Sequence, residues 1–203
     1  MGYQFIRADI DNNIAIISIN RPPLNTLNRQ IYHELLSMID ELEACNEVSG
    51  IVITGGGEKA FVAGRDLIQM QHLKPFSIHE LTTIARAALT RIERVSKPVV
   101  AAVNGLALDS GLELALACDY CICTNQATFA FPVMDETKQQ GSRTKRMERV
   151  LSQERVKELV THRVVFGAEI ALELHIVDEI VSTTELLSVS KDWAGKLALK
   201  GVI

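Results

Sequence analysis

Positive charge is not in excess in this 203-residue chain, where 21 lysines and arginines stand against 25 aspartates and glutamates, for a formal net charge of −4. That balance argues against a protein built chiefly to bind polyanions, and nothing in the sequence calls for nucleic acid. Apolar runs long enough to cross a bilayer are missing as well. Met1-Gly2-Tyr3-Gln4 leads straight into an alternating strand pattern with no apolar leader. The expectation is a cytoplasmic protein with no membrane partner. Cysteine is scarce, at positions 45, 118, 121 and 123, and Cys118-x-x-Cys121 has no second Cys or His pair nearby in sequence. Buried, reduced cysteines are therefore expected rather than a zinc site or a disulfide. The five histidines, at 33, 72, 79, 162 and 175, have no spacing that suggests a metal.

What the chain has in quantity is apolar side chain, 47% hydrophobic with 23% charged, the proportions of one sizeable globular domain. Short β-branched runs bounded by Gly, Pro or Asn recur at residues 14–19, 50–54, 98–103, 120–124 and 176–181. Between them lie helical stripes, Ile31, Leu35, Ile39 and Leu42 in 28–43 and Leu81, Ile84, Ala88 and Ile92 in 78–95. Strands separated by helices predict an α/β fold with largely parallel, buried strands. No flexible linker or internal sequence repeat divides the chain. A last helix over 185–200, capped by Thr184, shows Leu186, Val189, Trp193 and Leu197 on one face. That face is expected to meet the body of the domain or another subunit.

One carboxylate stands out. Residues 107–118 read Ala-Leu-Asp-Ser-Gly-Leu-Glu-Leu-Ala-Leu-Ala-Cys, so Glu113 lies in an apolar helix predicted over 110–118, just after a buried strand and the Asn104-Gly105 turn. The helix dipole favours an acid in the first turn, but by only about 0.3–1 kcal/mol at exposed sites. Burying an unpaired charge costs several kcal/mol. Two readings of Glu113 stand at this level: a dipole-stabilised acid, or a catalytic acid/base whose pKa is raised by apolar surroundings. Backbone N–H groups at a helix start point outward and can stabilise an anion, which gives the Ser110 amide a possible oxyanion-hole role. A second turn, 55–67, is either a plain surface loop or a site of close backbone approach at Ala63-Gly64-Arg65, in which case the Arg65 amide pairs with that of Ser110. It is no P-loop, since no Gly-Lys-Ser/Thr closes it.

Phe61-Val62-Ala63-Gly64-Arg65-Asp66-Leu67, the run from Lys97 through Asn104-Gly105 to Leu108, and Gly111-Leu112-Glu113 through Cys118-Asp119 together resemble the enoyl-CoA hydratase/isomerase (crotonase) family. Asn20-Arg21-Pro22 with Leu24-Asn25-Thr26-Leu27-Asn28 is similar to the family's N-terminal motif, and residues 168–178 to a later helix and strand. The resemblance implies a crotonase-like spiral of repeated strand-strand-helix units with a short C-terminal helix. Its core would span 1–182, and 183–203 would begin a C-terminal helical region shortened relative to the family. It further implies an acyl-CoA thioester as substrate, no cofactor, and a homo-oligomer, trimer or hexamer. The backbone N–H groups of Arg65 and Ser110 would form the oxyanion hole, and Glu113 would match the first of two hydratase glutamates. Leu24, Asn25, Ala63, Asp66, Leu67, Gly111, Pro132 and Val133 would line the substrate.

The sequence also departs from the family pattern. Where a second glutamate follows proline, this chain has Pro132-Val133, and Asp135 or Glu136 could substitute only through a rearranged loop. Asp109-Ser110 stands where glycines are usual. Lys138, Arg143, Lys145, Arg146 and Arg149 form a basic cluster, expected as a solvated helix face before CoA phosphate contact or RNA binding, since no aromatics interleave with the charges. The leading expectation is an acyl-CoA-binding lyase of the enoyl-CoA hydratase type. The alternatives are an enolate-stabilising decarboxylase or isomerase, and a non-catalytic paralogue that binds acyl-CoA or a protein.

Overall fold

In the computed structural model, residues 2–66, 70–71, 74–131, 146–147, 151–152 and 164–201 are described. The chain opens with a hairpin, β1 (Ile6–Asp11) and β2 (Ile14–Ile19), whose turn is made by Asn12 and Asn13, both at positive φ. Asparagine tolerates that region better than most residues. Helix α1 (Arg29–Ala44) follows, capped by Asn28, whose side chain accepts the Ile31 N–H at 2.9 Å. Its apolar stripe is buried with one acid among it. Glu34 accepts the N–H groups of Gln4, Phe5 and Ile6 at 3.0, 2.9 and 3.1 Å, so the buried carboxylate is satisfied and ties down the start of the chain.

From there a strand-strand alternation sets the architecture. β3 (Gly50–Gly55), β5 (Val99–Val103) and β7 (Tyr120–Thr124) lie in one sheet, and each is followed closely by a short strand, β4 (Ala60–Ala63), β6 (Leu106–Leu108) or β8 (Thr128–Ala130), in a second sheet. Helix α2 (Pro75–Arg94) returns the chain after β4, and helix α3 (Ser110–Ala115) after β6. β9 (Val165–Gly167), helix α4 (Ala168–Glu173), β10 (Glu179–Val181) and helix α5 (Leu186–Lys200) complete the described chain. The larger sheet runs β1-β2-β3-β5-β7-β10 and is parallel apart from the first hairpin. The smaller runs β4-β6-β8-β9, with only β8 and β9 antiparallel.

Both faces of the central strands β3, β5 and β7 are covered, which explains their apolar runs. Ile51, Ile53, Val99, Ala101 and Val103 face the main core, shared with α1, α2 and the smaller sheet. Val52, Val100, Ala102 and Ile122 face α5, meeting Leu186 and Ala194. The Trp193 ring stacks on Tyr120 at 4.3 Å between centroids and donates its N–H to Glu179 at 2.7 Å. The last helix therefore meets the body of the domain through the face predicted for it.

Helix α2 begins at Pro75, three residues before its predicted start, and three further boundaries differ from the sequence reading for reasons visible in local hydrogen bonds. Thr184 does not cap α5; Glu185 is the cap residue, and its carboxylate accepts the Ser182 N–H and hydroxyl. Helix α3 ends at Ala115, because Ala117 and Cys118 donate three residues back, to Leu114 and Ala115, and so tighten the last turn. The strand predicted over 176–181 begins only at Glu179, since the Ile176 and Val177 N–H groups close on the Ala171 carbonyl after α4. Cys121 and Cys123 are buried as expected, whereas Cys45 and Cys118 are partly exposed, and burial pushes the Cys123 thiol up to about 12.

Candidate active site

β4 and β6 are parallel neighbours, with Ala63 opposite Leu108, so the chain leaves both strands side by side. At the first exit Gly64 has φ 93°, a conformation glycine adopts without strain. Its carbonyl accepts the Leu27 N–H at 2.9 Å. In a trans peptide the C=O and N–H point in opposite directions, so the N–H of Arg65 faces away from Leu27. Two further backbone bonds, Ala63 N–H to Leu24 and Asp66 N–H to Leu27, both 3.0 Å, hold this exit against the 24–27 turn.

At the second exit Asp109 has φ 49° and ψ −113°. For a residue with a Cβ such a sparsely populated conformation costs of order 1–3 kcal/mol. The Asp109 N–H donates to the Ala130 carbonyl at 3.0 Å, and its own carbonyl accepts the Glu113 N–H at 3.2 Å. The same peptide logic turns the Ser110 N–H out of the start of α3. Among the described residues, neither the Arg65 nor the Ser110 N–H reaches a backbone carbonyl. Gly111 lets the two exits come together: a Cβ there would lie 2.0 Å from the Val62 carbonyl oxygen.

Glu113 sits one turn into α3 and is only 3% exposed, in a helix buried along its whole length. Ser110 is buried with its hydroxyl making no hydrogen bond among the described residues. The Arg65 guanidinium donates through Nε to Asp109 at 3.0 Å, forming an ion pair with side chains 21% and 23% exposed. A second pair joins Arg21 to Asp66 at 2.5 Å, while Arg21 also donates to the Thr26 carbonyl and lies over the Phe5 ring.

The structure thus brings Ala63, Arg65, Asp66, Ser110, Gly111 and Glu113 to two adjoining strand ends, with Leu24 half-exposed beside them. Asn25 is placed differently from an open lining residue. It is buried at φ 54°, accepts the Arg21 N–H, and donates to the Gly56 and Ala60 carbonyls, so its side chain is spent on shaping the turn. Leu67, Pro132 and Val133 lie outside the described residues, as do Asp135 and Glu136. Of the basic cluster, Lys138, Arg143, Lys145 and Arg149 lie outside the described residues, and Arg146 does not sit on a solvated face. It is 3% exposed and grips Glu93 of α2 through two bonds of 2.8 and 2.9 Å.

The sequence reading missed both ion pairs. The signals were only the charges themselves, Arg65 and Asp109 standing 44 residues apart and Arg21 and Asp66 standing 45 apart. Among the described residues no three His, Cys, Asp or Glu side chains gather to hold a metal, and no helix is long and apolar enough to cross a membrane.

A family model described as enoyl-CoA hydratase/isomerase matches residues 9–202. The chain belongs to the enoyl-CoA hydratase/isomerase family. Among curated relatives of this family, the short-chain-enoyl-CoA hydratase of Clostridium acetobutylicum is 33% identical over 189 residues, 92% of this chain and 72% of that one. The crotonyl-CoA hydratase of Syntrophomonas wolfei is 35% identical over 206 residues, 99% and 78% of the two chains. Among solved structures, an enoyl-CoA hydratase of Bacillus anthracis superposes with a TM-score of 0.90 at 29% identity, covering 96% of this chain and 77% of that one. The fold is accordingly the crotonase fold of the hydratase/isomerase family, and both strand exits described above lie within the matched region.

Proposed function

We propose that the chain is an acyl-CoA lyase of the enoyl-CoA hydratase type, acting in fatty-acid metabolism. The observation that carries this reading is the pair of outward-turned N–H groups, of Arg65 and Ser110, at adjoining strand ends with the buried Glu113 one turn further on. On this reading, water adds its oxygen to C3 of an enoyl-CoA while the Glu113 carboxylate takes one of its protons. The double-bond electrons move onto the thioester oxygen, held as an enolate by the two N–H groups. The proton then passes from Glu113 to C2, giving the 3-hydroxyacyl-CoA. Fixed amide dipoles suit this step because they need no reorganisation as charge develops.

Leu24, Ala63, Asp66 and Leu67, with Pro132 and Val133, would line the CoA thioester, and no cofactor is called for. The same reading makes the protein a cytoplasmic homo-oligomer, trimer or hexamer. Exposed Val165, Ile170 and Leu172 on β9 and α4 offer apolar surface to a second copy.

The test is hydration of crotonyl-CoA by the parent and by Glu113→Gln, which keeps size but cannot titrate. Turnover should fall by about 10² or more, with KM little changed. Parent-like turnover in Glu113→Gln would remove the residue from the mechanism. Release of carbon dioxide from a malonyl-type thioester, with no hydration of crotonyl-CoA, would favour a decarboxylase instead.

A further inference from the structure

We infer that the Arg65–Asp109 ion pair is a clamp that holds the oxyanion hole in shape, an inference that rests on the hydratase reading above. The 109–110 peptide contains both the Asp109 carbonyl and the Ser110 N–H, so the direction of that N–H is set by the backbone angles of Asp109. Those angles, φ 49° and ψ −113°, are ones that a residue with a Cβ leaves readily unless its surroundings fix it. If Asp109 relaxed to an ordinary extended or helical conformation, the peptide would rotate and carry the Ser110 N–H out of the hole.

Arg65 holds the side chain through the 3.0 Å bond from Nε to the Asp109 carboxylate. Both side chains are about four-fifths buried, so salt screens the pair less than it would a surface bridge. The geometry is direct: Arg65 carries the first N–H on its own backbone, and its side chain reaches the residue that aims the second. The two exits approach closely enough that a Cβ added at Gly64 would crowd the Asp109 Cβ at 3.3 Å. The ion pair therefore adds a side-chain tie to the strand pairing and to the Asp109 backbone bonds that already hold the two donors in place. Arg65 and Asp109 act as positioning residues, through their side chains, on a hole made by backbone.

Glycine at 109 would adopt the same angles without strain and would need no clamp. That gives the inference a signature that a merely structural salt bridge would not show. With crotonyl-CoA as substrate, Arg65→Gln should lower kcat roughly tenfold, short of the 10²–10³ lost when a whole oxyanion donor is removed, and should leave KM nearly unchanged. In a protein already carrying Asp109→Gly, adding Arg65→Gln should cost nothing further in kcat. Asp109→Asn, which tolerates positive φ but gives up the charge, should match Arg65→Gln and serves if that variant does not fold. Parent-like kcat in Arg65→Gln or Asp109→Asn would overturn the clamp, as would an Arg65→Gln loss that persists undiminished beside Asp109→Gly. Ser110→Pro, which deletes the N–H itself, separates the two levels. If it abolishes turnover while the clamp variants are parent-like, the hole stands and the clamp falls; if it remains active, both fall.

Discussion

The middle of the larger sheet and the two strand exits of the smaller one are built on opposite rules. β5 is five consecutive buried apolar residues in regular pairing with β3 and β7, and each of its side chains meets other apolar side chains. A few residues further on, Asp109 stands in a strained conformation, Ser110 buries a hydroxyl, and Glu113 buries a carboxylate. Local preference, packing and polarity agree in the first region and conflict in the second. Such conflict is where function is to be sought, because a sequence that folds well tolerates it only with compensation elsewhere. Here the compensation includes the β3-β5-β7 layer, which is sandwiched between α5 and the main core.

Gly111→Ala tests the meeting point of the two regions and should have the largest effect. Its Cβ would lie 2.0 Å from backbone, the Val62 carbonyl oxygen, which has no flexible end to move aside. Overpacking of well-packed sites costs about 1–3 kcal/mol and occasionally more, and this contact belongs at or above the top of that range. The variant should melt far below the parent, and turnover should fall with it as the exits are forced apart. Ile122→Ala probes the sheet alone. Ile122 is fully buried on the α5 side, away from the exits, and its truncation should cost about 2–5 kcal/mol by thermal or urea unfolding. Its kcat on crotonyl-CoA, measured well below the melting temperature, should stay within about twofold of the parent, since no group near the exits is touched. A loss of kcat in Ile122→Ala as large as that in Glu113→Gln would erase the distinction between the two regions.

The same division accounts for what was legible in the sequence. The sheet strands were readable because β-branched runs such as Ile51-Val52-Ile53 have one stable destination, a strand covered on both faces. α1 was readable from its stripe of Ile31, Leu35, Ile39 and Leu42, a pattern local to the helix. For the candidate site, Arg65, Ser110 and Glu113 could be named from the sequence as candidates, but their geometry could not be read. The Arg65–Asp109 pair joins positions 44 apart, and no periodicity reports which charges a fold will bring together. Arg146 shows the same limit: five basic residues in a row of polar ones suggest a solvated face, yet one of them is drawn inside by Glu93, 53 positions earlier. Asn25 was legible as a motif residue, while its inward hydrogen bonds to Gly56 and Ala60 depend on a strand exit that lies some thirty positions on.

On the hydratase reading, backbone N–H groups, and not side chains, make the anion site. Ser110 offers the most direct test because it is the first residue of α3, a position where proline is well accommodated in a helix. Ser110→Pro removes the N–H, whereas Ser110→Gly removes the side chain and keeps it. With both proteins melting near the parent, Ser110→Pro should lose about 10²–10³ in kcat for crotonyl-CoA hydration, and Ser110→Gly should stay close to the parent. Equal turnover by the two variants would contradict the account.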